Sequence, residues 1–173
     1  MSKINKDLTI FRAILFDVDG VLSRVTVTTD ESGNPIRTIN VRDGYAIKSA
    51  CDQGLTLGII TGGYSEAIPA RYGALGMKYI YMRASLKEEY LDKFITATGI
   101  PQEEIIYVGD DLPDMAVMQR CGLSVAPKDA APEVRAIADY VSPVMGGFGV
   151  ARDILEEVMK AGGLWMSEEA FGW

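Results

Sequence analysis

The chain has 173 residues, of which 48% are hydrophobic, and a formal net charge of −7. A chain of this length can bury about 70% of its unfolded surface in one domain, so we predict a single domain over residues 1–173. The acidic balance argues against nucleic acid and anionic membranes as partners, because both bind basic surfaces.

Two residue types limit the possible chemistry. Histidine is absent, which excludes a Ser-His-Asp triad, a histidine phosphatase and a His-ligated zinc site. The two cysteines, Cys51 and Cys121, lie isolated in apolar segments, which indicates reduced thiols in a cytoplasmic protein. Neither has an arginine six residues downstream, where phosphate-binding cysteine nucleophiles often carry one. No signal peptide core or membrane span of about 18 apolar residues is predicted, and carboxylates must carry any catalysis.

The first predicted strand runs through Ile14–Phe16 into two carboxylates, Asp17 and Asp19. Residues two apart in an extended segment point to the same face, so both should project beyond the end of the strand. Two adjacent carboxylates repel each other unless a cation or proton accompanies them. A β-hairpin is predicted next, over about residues 25–41, because β-branched residues alternate on both sides of a polar turn.

Short apolar segments then alternate with amphipathic ones. In chain order we predict helix 45–53, strand 55–60, helix 64–75, strand 78–82, helix 84–98, strand 104–108, a helix opened by Pro113, strand 121–125, helix 132–138, strand 140–141 and helix 150–160. This alternation indicates an α/β fold with a doubly wound, mostly parallel, Rossmann-like sheet. Such sheets bind ligands at the carboxyl ends of their strands.

Polar turns follow three of the predicted strands. They contain Asp17 and Asp19, then Thr61 and Gly62, then Asp110, Asp111 and Asp114. Because carboxyl ends of parallel strands share one edge, the three turns should converge on one crevice. The second turn is also predicted to open helix 64–75, where backbone N–H groups stabilise anions. Lys87 falls in the first turn of helix 84–98, a position unfavourable for a cation unless an anion is near.

These groups fit a Mg²⁺ site for phosphoryl transfer, because Mg²⁺ binds carboxylates and leaves room for water and phosphate. We predict Asp17 as the nucleophile that forms an aspartyl-phosphate, with Asp110 sharing the ion. Asp19 should protonate the leaving alkoxide and later accept a proton from water. The remaining groups support these three: phosphoryl oxygens are held by Thr61, Gly62 and Lys87, and the metal site is assisted by Asp111 and Asp114.

Four ordered motifs resemble those of the haloacid dehalogenase superfamily. They are Asp-Val-Asp-Gly-Val-Leu at 17–22, Ile-Thr-Gly at 60–62, Lys87, and Gly-Asp-Asp-Leu-Pro-Asp at 109–114. The resemblance implies that Asp17 is the nucleophile and Asp19 the acid/base, with Mg²⁺ bound by the Asp17 carboxylate, the Asp19 carbonyl and Asp110. The aspartate at 19 resembles the phosphatases rather than the dehalogenases of this superfamily. The segments between motifs are short, which implies an enzyme without a cap domain.

The hairpin, Asn-Val-Arg-Asp-Gly-Tyr at 40–45 and Gly-Gly-Phe-Gly-Val-Ala-Arg-Asp at 146–153 resemble the 3-deoxy-D-manno-octulosonate 8-phosphate (KDO 8-phosphate) phosphatases. This similarity implies a phosphorylated sugar acid as substrate, a role in lipopolysaccharide synthesis, and a homotetramer whose hairpins roof neighbouring sites. KDO-type enzymes usually have an arginine directly after Ile-Thr-Gly, where this chain has Gly63. A relative acting on a nine-carbon acid 9-phosphate also differs there, and it lacks the arginine that corresponds to Arg42.

Several predictions stay open at the level of sequence. Both acids carry a carboxylate, for which the candidate arginines are Arg42, Arg71 and Arg83. KDO 8-phosphate is the predicted substrate, with the nine-carbon 9-phosphate as the alternative, followed by a protein phosphatase and a non-catalytic scaffold. The tail, about 162–173, is rich in apolar residues and is expected to pack on an adjacent subunit; its own subunit or disorder are the alternatives. Those residues are Leu164, Trp165, Met166, Phe171 and Trp173.

Overall fold

A computed structural model of the chain describes residues 2–166. Within them, six parallel strands form one sheet: β1 (Ala13–Phe16), β4 (Thr56–Ile60), β5 (Tyr79–Tyr81), β6 (Ile105–Val108), β7 (Leu123–Ala126) and β8 (Tyr140–Val141). A separate hairpin pairs β2 (Thr28–Thr29) with β3 (Pro35–Ile36). The helices are α1 (Val41–Asp52), α2 (Ala67–Ala74), α3 (Lys87–Thr98), α4 (Met115–Arg120), α5 (Pro132–Ile137) and α6 (Val150–Ala161). The sheet order is β5-β4-β1-β6-β7-β8.

Both faces of the sheet are covered, as the continuous apolar strands require. Side chains alternate along β1, so Ile14 and Phe16 enter a core formed with α1, α2 and α6. Ala13 and Leu15 point the other way, into a core formed with α3, α4 and α5. The predicted doubly wound α/β architecture is therefore confirmed, and no separate cap domain interrupts it between residues 2 and 166.

The register of the three central strands aligns their carboxyl ends. Phe16, the last residue of β1, pairs with Ile59 of β4 on one side and with Val108 of β6 on the other. The chain moves outward from β1 to β4 and β5, then returns to place β6 against the free side of β1. This reversal is a topological switch point, where open α/β sheets form their ligand crevice.

Three helices differ from the predicted starts for identifiable reasons. Helix α1 begins at Val41 rather than residue 45, because the Asn40 side chain caps it by accepting two backbone N–H groups. Helix α2 begins at Ala67 rather than residue 64, which keeps Pro69 in the first turn, where its missing N–H is tolerated. Helix α3 begins at Lys87 rather than residue 84, because Leu86 has an extended backbone (φ −118°, ψ 95°) that a helix cannot include.

The hairpin lies within the predicted range but has strands of only two residues each. Its apolar residues Val25, Ile36 and Ile39 are each more than half exposed. The Ser23 hydroxyl accepts the Thr38 N–H at 2.9 Å, which ties the returning strand to the loop after β1. The hairpin therefore approaches the end of the central strand while these apolar side chains remain largely exposed.

Two residues of the predicted tail contact their own subunit. Leu164 and Trp165 pack against the core beside α1, and the Trp165 ring meets Tyr45 edge to face at a centroid distance of 6.2 Å. These contacts support the alternative in which the tail docks on its own subunit, and packing on an adjacent subunit stays a prediction. Phe171 and Trp173 lie outside the described residues. None of the described helices combines the length and apolar character needed to cross a membrane.

Candidate active site

A crevice with a volume of about 380 Å³ opens at the carboxyl edge of the sheet. Residues predicted from three turns and one helix line it together: Asp17, Asp19, Thr61, Gly62, Lys87, Asp110, Asp111 and Asp114. The predicted convergence is thus confirmed, because each turn directly follows β1, β4 or β6 in the aligned centre of the sheet. The chemical roles assigned to these residues remain predictions.

Lys87 is the buried cation at the base of the crevice. Its Nζ lies 2.8 Å from Asp17 Oδ2 and 2.6 Å from Asp114 Oδ1. Burial alone lowers the pKa of Lys87, but attraction by the two carboxylates outweighs burial and raises that pKa. The two carboxylates therefore offset the unfavourable interaction between the Lys87 cation and the positive N-terminal end of the α3 dipole.

Asp114 is a fully buried anchor for the surrounding chain. Its carboxylate accepts four hydrogen bonds of 2.6–3.3 Å, from Lys87 Nζ, the Tyr107 hydroxyl and the N–H groups of Asp110 and Asp111. A carboxylate has about four acceptor positions, so the side chain is saturated by protein donors. This geometry supports the assisting role predicted for Asp114. Sequence reasoning missed Tyr107, although a tyrosine hydroxyl inside a buried strand signals a polar partner.

Three carboxylates lie close together beside a single lysine. One oxygen from each of Asp17, Asp110 and Asp114 falls within 4.8 Å of the others. Burial, followed by repulsion from Asp114, raises the pKa of Asp17 to about 6 and outweighs the attraction of Lys87. Burial, followed by repulsion from Asp114 and Asp17, raises the pKa of Asp110 to about 8. The charge of Lys87 therefore does not offset the burial and repulsion that raise the pKa values of Asp17 and Asp110.

Mg²⁺ fits this donor set. The Asp110 carboxylate accepts no hydrogen bond from the described residues, and Asp17 keeps acceptor positions beyond its bonds to Val18 N–H and Lys87. Gly20, at φ +80°, brings the loop after β1 close to Asp110: a Cβ there would lie 1.9 Å from Asp110 Oδ2. Asp17 and Asp110 are therefore the side chains able to hold the ion. The predicted role of the Asp19 carbonyl stays a prediction.

The raised pKa values predict opposite effects of pH on the stability of the metal-free protein and on Mg²⁺ affinity. An unfolded aspartate titrates near pH 3.9, so between about pH 4 and 8 the folded protein binds more protons than the unfolded chain. Stability of the metal-free protein should therefore fall as pH rises through this window. Mg²⁺ must displace these protons, so its affinity should rise over the same window.

We expect a fixed Mg²⁺ concentration to raise Tm more at pH 8 than at pH 6, as measured by calorimetry. Asp110→Asn removes the group with the higher pKa and should lose most of this difference. Equal Mg²⁺ shifts at the two pH values would contradict the assignment of these carboxylates to the metal.

Asp19 lies apart from the buried cluster and has a different partner. Its carboxylate accepts two hydrogen bonds from Arg37, from Nε and Nη2, each of 2.8 Å. Arg37 reaches it from the returning side of the hairpin and was not among the predicted site residues. The only local signal was an isolated cation in an otherwise apolar and hydroxylic stretch. The hairpin thus contributes a side chain to the crevice of its own subunit.

Thr61 and Gly62 line the crevice, but their turn does not lie at the N-terminus of a helix. The Thr61 side chain is buried, and its hydroxyl accepts the Gly63 N–H at 3.2 Å. Because α2 begins only at Ala67, the prediction that this turn opens a helix is wrong. Any phosphoryl oxygen held here would contact the threonine hydroxyl and loop N–H groups, without the field of a helix N-terminus.

The arginines predicted for the substrate carboxylate lie outside the crevice lining of this chain. Arg42 is exposed in the first turn of α1, and Arg83 lies over the Tyr64 ring at 4.1 Å from its centroid. Arg71 lines a second cavity of about 610 Å³ between the hairpin and α2. Its Nη2 is buried with no hydrogen-bond partner among the described residues. Their roles in substrate binding stay predictions.

The chain is similar to known proteins over most of its length. A family model described as haloacid dehalogenase-like hydrolase matches residues 76–154, which include Lys87 and Asp110. The 3-deoxy-D-manno-octulosonate 8-phosphate phosphatase KdsC of Escherichia coli (strain K12) is 37% identical over 152 residues, 88% of this chain and 81% of that protein.

The fold of the chain is also similar to solved structures of these phosphatases. The phosphatase of that name from Yersinia pestis has a TM-score of 0.87 at 32% identity, covering 91% of this chain and 85% of that one. The one from Moraxella catarrhalis, in complex with a magnesium ion, a phosphate ion and a KDO molecule, has a TM-score of 0.85 at 28% identity, covering 90% and 89%.

Proposed function

Because the chain belongs to the haloacid dehalogenase-like hydrolases, in the family of the 3-deoxy-D-manno-octulosonate 8-phosphate phosphatases, we propose that it hydrolyses KDO 8-phosphate to KDO and phosphate. The observation that carries this proposal is the buried Asp17–Lys87–Asp114 array with Asp110 beside it, at the switch point of the sheet. It is a phosphoric monoester hydrolase that uses Mg²⁺, and its product would serve lipopolysaccharide synthesis.

The first half-reaction transfers the phosphoryl group to Asp17. A carboxylate oxygen of Asp17 bonds to phosphorus, the bond from phosphorus to the sugar oxygen breaks, and Asp19 gives its proton to that oxygen. Asp17 and Asp110 would hold Mg²⁺, whose positive charge would let a carboxylate approach a phosphate dianion. Lys87 orients Asp17 through its 2.8 Å contact with Oδ2.

The second half-reaction releases phosphate. A water oxygen bonds to phosphorus, the bond to Asp17 breaks with its electron pair returning to the carboxylate, and Asp19 takes the proton of the water. Thr61, Gly62 and Lys87 lie on the same crevice and would hold the phosphoryl oxygens as charge develops. Asp111 and Asp114 would keep the metal-binding turn in place through the contacts of the Asp114 carboxylate.

The assembly proposed for this single domain, residues 1–173, is a homotetramer whose hairpins complete neighbouring sites. A hairpin with two-residue strands is only marginally stable alone, and this one exposes Val25, Ile36 and Ile39. Packing hairpins together would bury these side chains and could bring Arg42 or Arg71 toward a sugar acid in an adjacent crevice. Light scattering of the purified protein gives the oligomeric state. The free thiols of Cys51 and Cys121 support a cytoplasmic location.

The test of function compares two phosphorylated sugar acids in the presence of Mg²⁺. We expect kcat/KM for KDO 8-phosphate to exceed that for a nine-carbon 2-keto-3-deoxy acid 9-phosphate at least tenfold, a transition-state difference of about 1.4 kcal/mol. Asp17→Asn provides the blank. The nine-carbon acid is the second candidate because Gly63 departs from the arginine usual in KDO-type enzymes.

Preference for the nine-carbon ester would assign the second substrate. Release from a phosphopeptide alone would indicate a protein phosphatase. Release from none of these esters would indicate a non-catalytic scaffold and contradict the proposed function.

A further inference from the structure

Asp19, the acid/base residue of the proposed mechanism, is paired with Arg37, which has no part in the mechanism described above. Arg37 Nε and Nη2 each lie 2.8 Å from a different oxygen of Asp19, in a bidentate pair. The Arg37 side chain is only 10% exposed, whereas that of Asp19 is 43% exposed. A third nitrogen, Nη1, reaches the Tyr64 carbonyl at 3.4 Å. The guanidinium is therefore fixed against the protein while the carboxylate faces the crevice.

Gly63 supplies the space for this pair. A Cβ at position 63 would lie 2.3 Å from Arg37 Nη2 and 3.2 Å from Asp19 Oδ2. The backbone of Gly63 does not lie in the left-handed region, so other residues could adopt its conformation. The glycine is needed here for close approach, and even an alanine would have to push the guanidinium away from Asp19.

Among the described residues, Arg37 alone forms hydrogen bonds to the Asp19 carboxylate. A carboxylate on a partly exposed side chain that lacks such a partner can rotate. The bidentate contact fixes its plane and uses two of its four acceptor positions. The remaining positions can still accept the proton of a water molecule.

We propose that Arg37 is the positioning residue for Asp19 during hydrolysis of the aspartyl-phosphate, and that Gly63 is the position that admits it. This inference rests on the proposed function. In the step concerned, the water oxygen bonds to phosphorus, the bond to Asp17 breaks with its electron pair returning to that carboxylate, and the proton of the water passes to Asp19. Without Arg37, Asp19 loses its fixed direction and the phosphorylated enzyme accumulates.

The experiment uses p-nitrophenyl phosphate with Mg²⁺, because its leaving group departs without a proton and only the second half-reaction then requires Asp19. We expect Arg37→Met and Gly63→Ala each to lower kcat at least about tenfold and to lower KM with it. Rapid-mixing measurements on these variants should show a burst of p-nitrophenolate that approaches one molecule per active site. The two changes disrupt one contact, so the double variant should be no slower than Arg37→Met.

Gly73→Ala is the matched glycine control, since a Cβ there meets no atom within 4 Å, and it should show wild-type kinetics. Thermal denaturation confirms that each variant is folded. Wild-type kcat without a burst in both Arg37→Met and Gly63→Ala would overturn the inference, as would a loss of kcat with no burst. Wild-type protein that hydrolyses neither p-nitrophenyl phosphate nor KDO 8-phosphate faster than Asp17→Asn does would instead overturn the proposed function, and this inference with it.

Discussion

Asp17→Asn is expected to lower kcat/KM at least about 10³-fold while leaving the protein folded and, without metal, at least as stable as the wild type. The amide cannot form the aspartyl-phosphate, so the covalent route is lost. Stability should not suffer, because the change removes one of three crowded carboxylates, and burial followed by their repulsion raises the pKa of Asp110 to about 8. Loss of activity with retained or increased Tm separates a chemical role from a folding defect.

Phosphate release and calorimetry on the same preparation measure both quantities. Asp52→Asn is the control and should change neither quantity appreciably, because within residues 2–166 Asp52 pairs only with Lys48, at the surface of α1. An Asp17→Asn protein with more than a tenth of wild-type activity would contradict the assignment of the nucleophile. A sharply lowered Tm would contradict the account of carboxylate repulsion.

Lys87→Met is expected to lower the free energy of unfolding by about 3–5 kcal/mol and to reduce activity at least about 10²-fold. Lys87 is buried between Asp17 and Asp114, and its removal leaves their charges without the cation that compensates them. Methionine keeps the apolar stem, so lost charge rather than a cavity dominates the effect. Urea unfolding without metal measures the stability, and phosphate release measures the activity.

A second substitution tests the electrostatic origin of this loss. Adding Asp114→Asn to Lys87→Met removes one uncompensated charge, so the double variant should be about 1–3 kcal/mol more stable than the sum of the single effects predicts. Lys48→Met breaks an exposed pair within α1 and should cost less than about 1 kcal/mol. Additive losses, or a Lys87→Met protein as stable as the wild type, would argue against a buried ionic array.

The sheet and the location of the site followed from sequence because both depend on regular patterns. Apolar runs too short for helices predicted buried strands, and a parallel sheet necessarily collects the turns after those strands on one edge. Asp17, Thr61 and Asp110 each stand at or just beyond the end of a central strand, so their convergence required no knowledge of side-chain packing.

The missed features depend on contacts between distant segments. Arg37 reaches Asp19 only because the hairpin folds back over the crevice, and nothing within either strand specifies that path. The segment before helix α3 is bonded to the end of β4 through the Ala84 N–H and the Thr61 carbonyl, and Leu86 stays extended, so this tertiary contact overrides local helix propensity. Lys87 was placed correctly in the crevice, but its simultaneous pairing with Asp17 and Asp114 became visible only in three dimensions.

The residues at the aligned ends of β4, β1 and β6 and the hairpin above them differ in how strongly the fold constrains their sequence. Asp17, proposed as the nucleophile, Lys87 and the carboxylate of Asp110, proposed to bind the metal, lie at the end of the sheet or contact residues there. The hairpin is attached to this base through a few side-chain contacts, including the Arg37–Asp19 pair and the Ser23–Thr38 bond. Changes in hairpin length or apolar surface that leave the Arg37–Asp19 pair intact would therefore alter which esters the proposed enzyme admits, while the residues that break the bond stay constant. Substrate range in such a protein can diverge without rebuilding its chemistry.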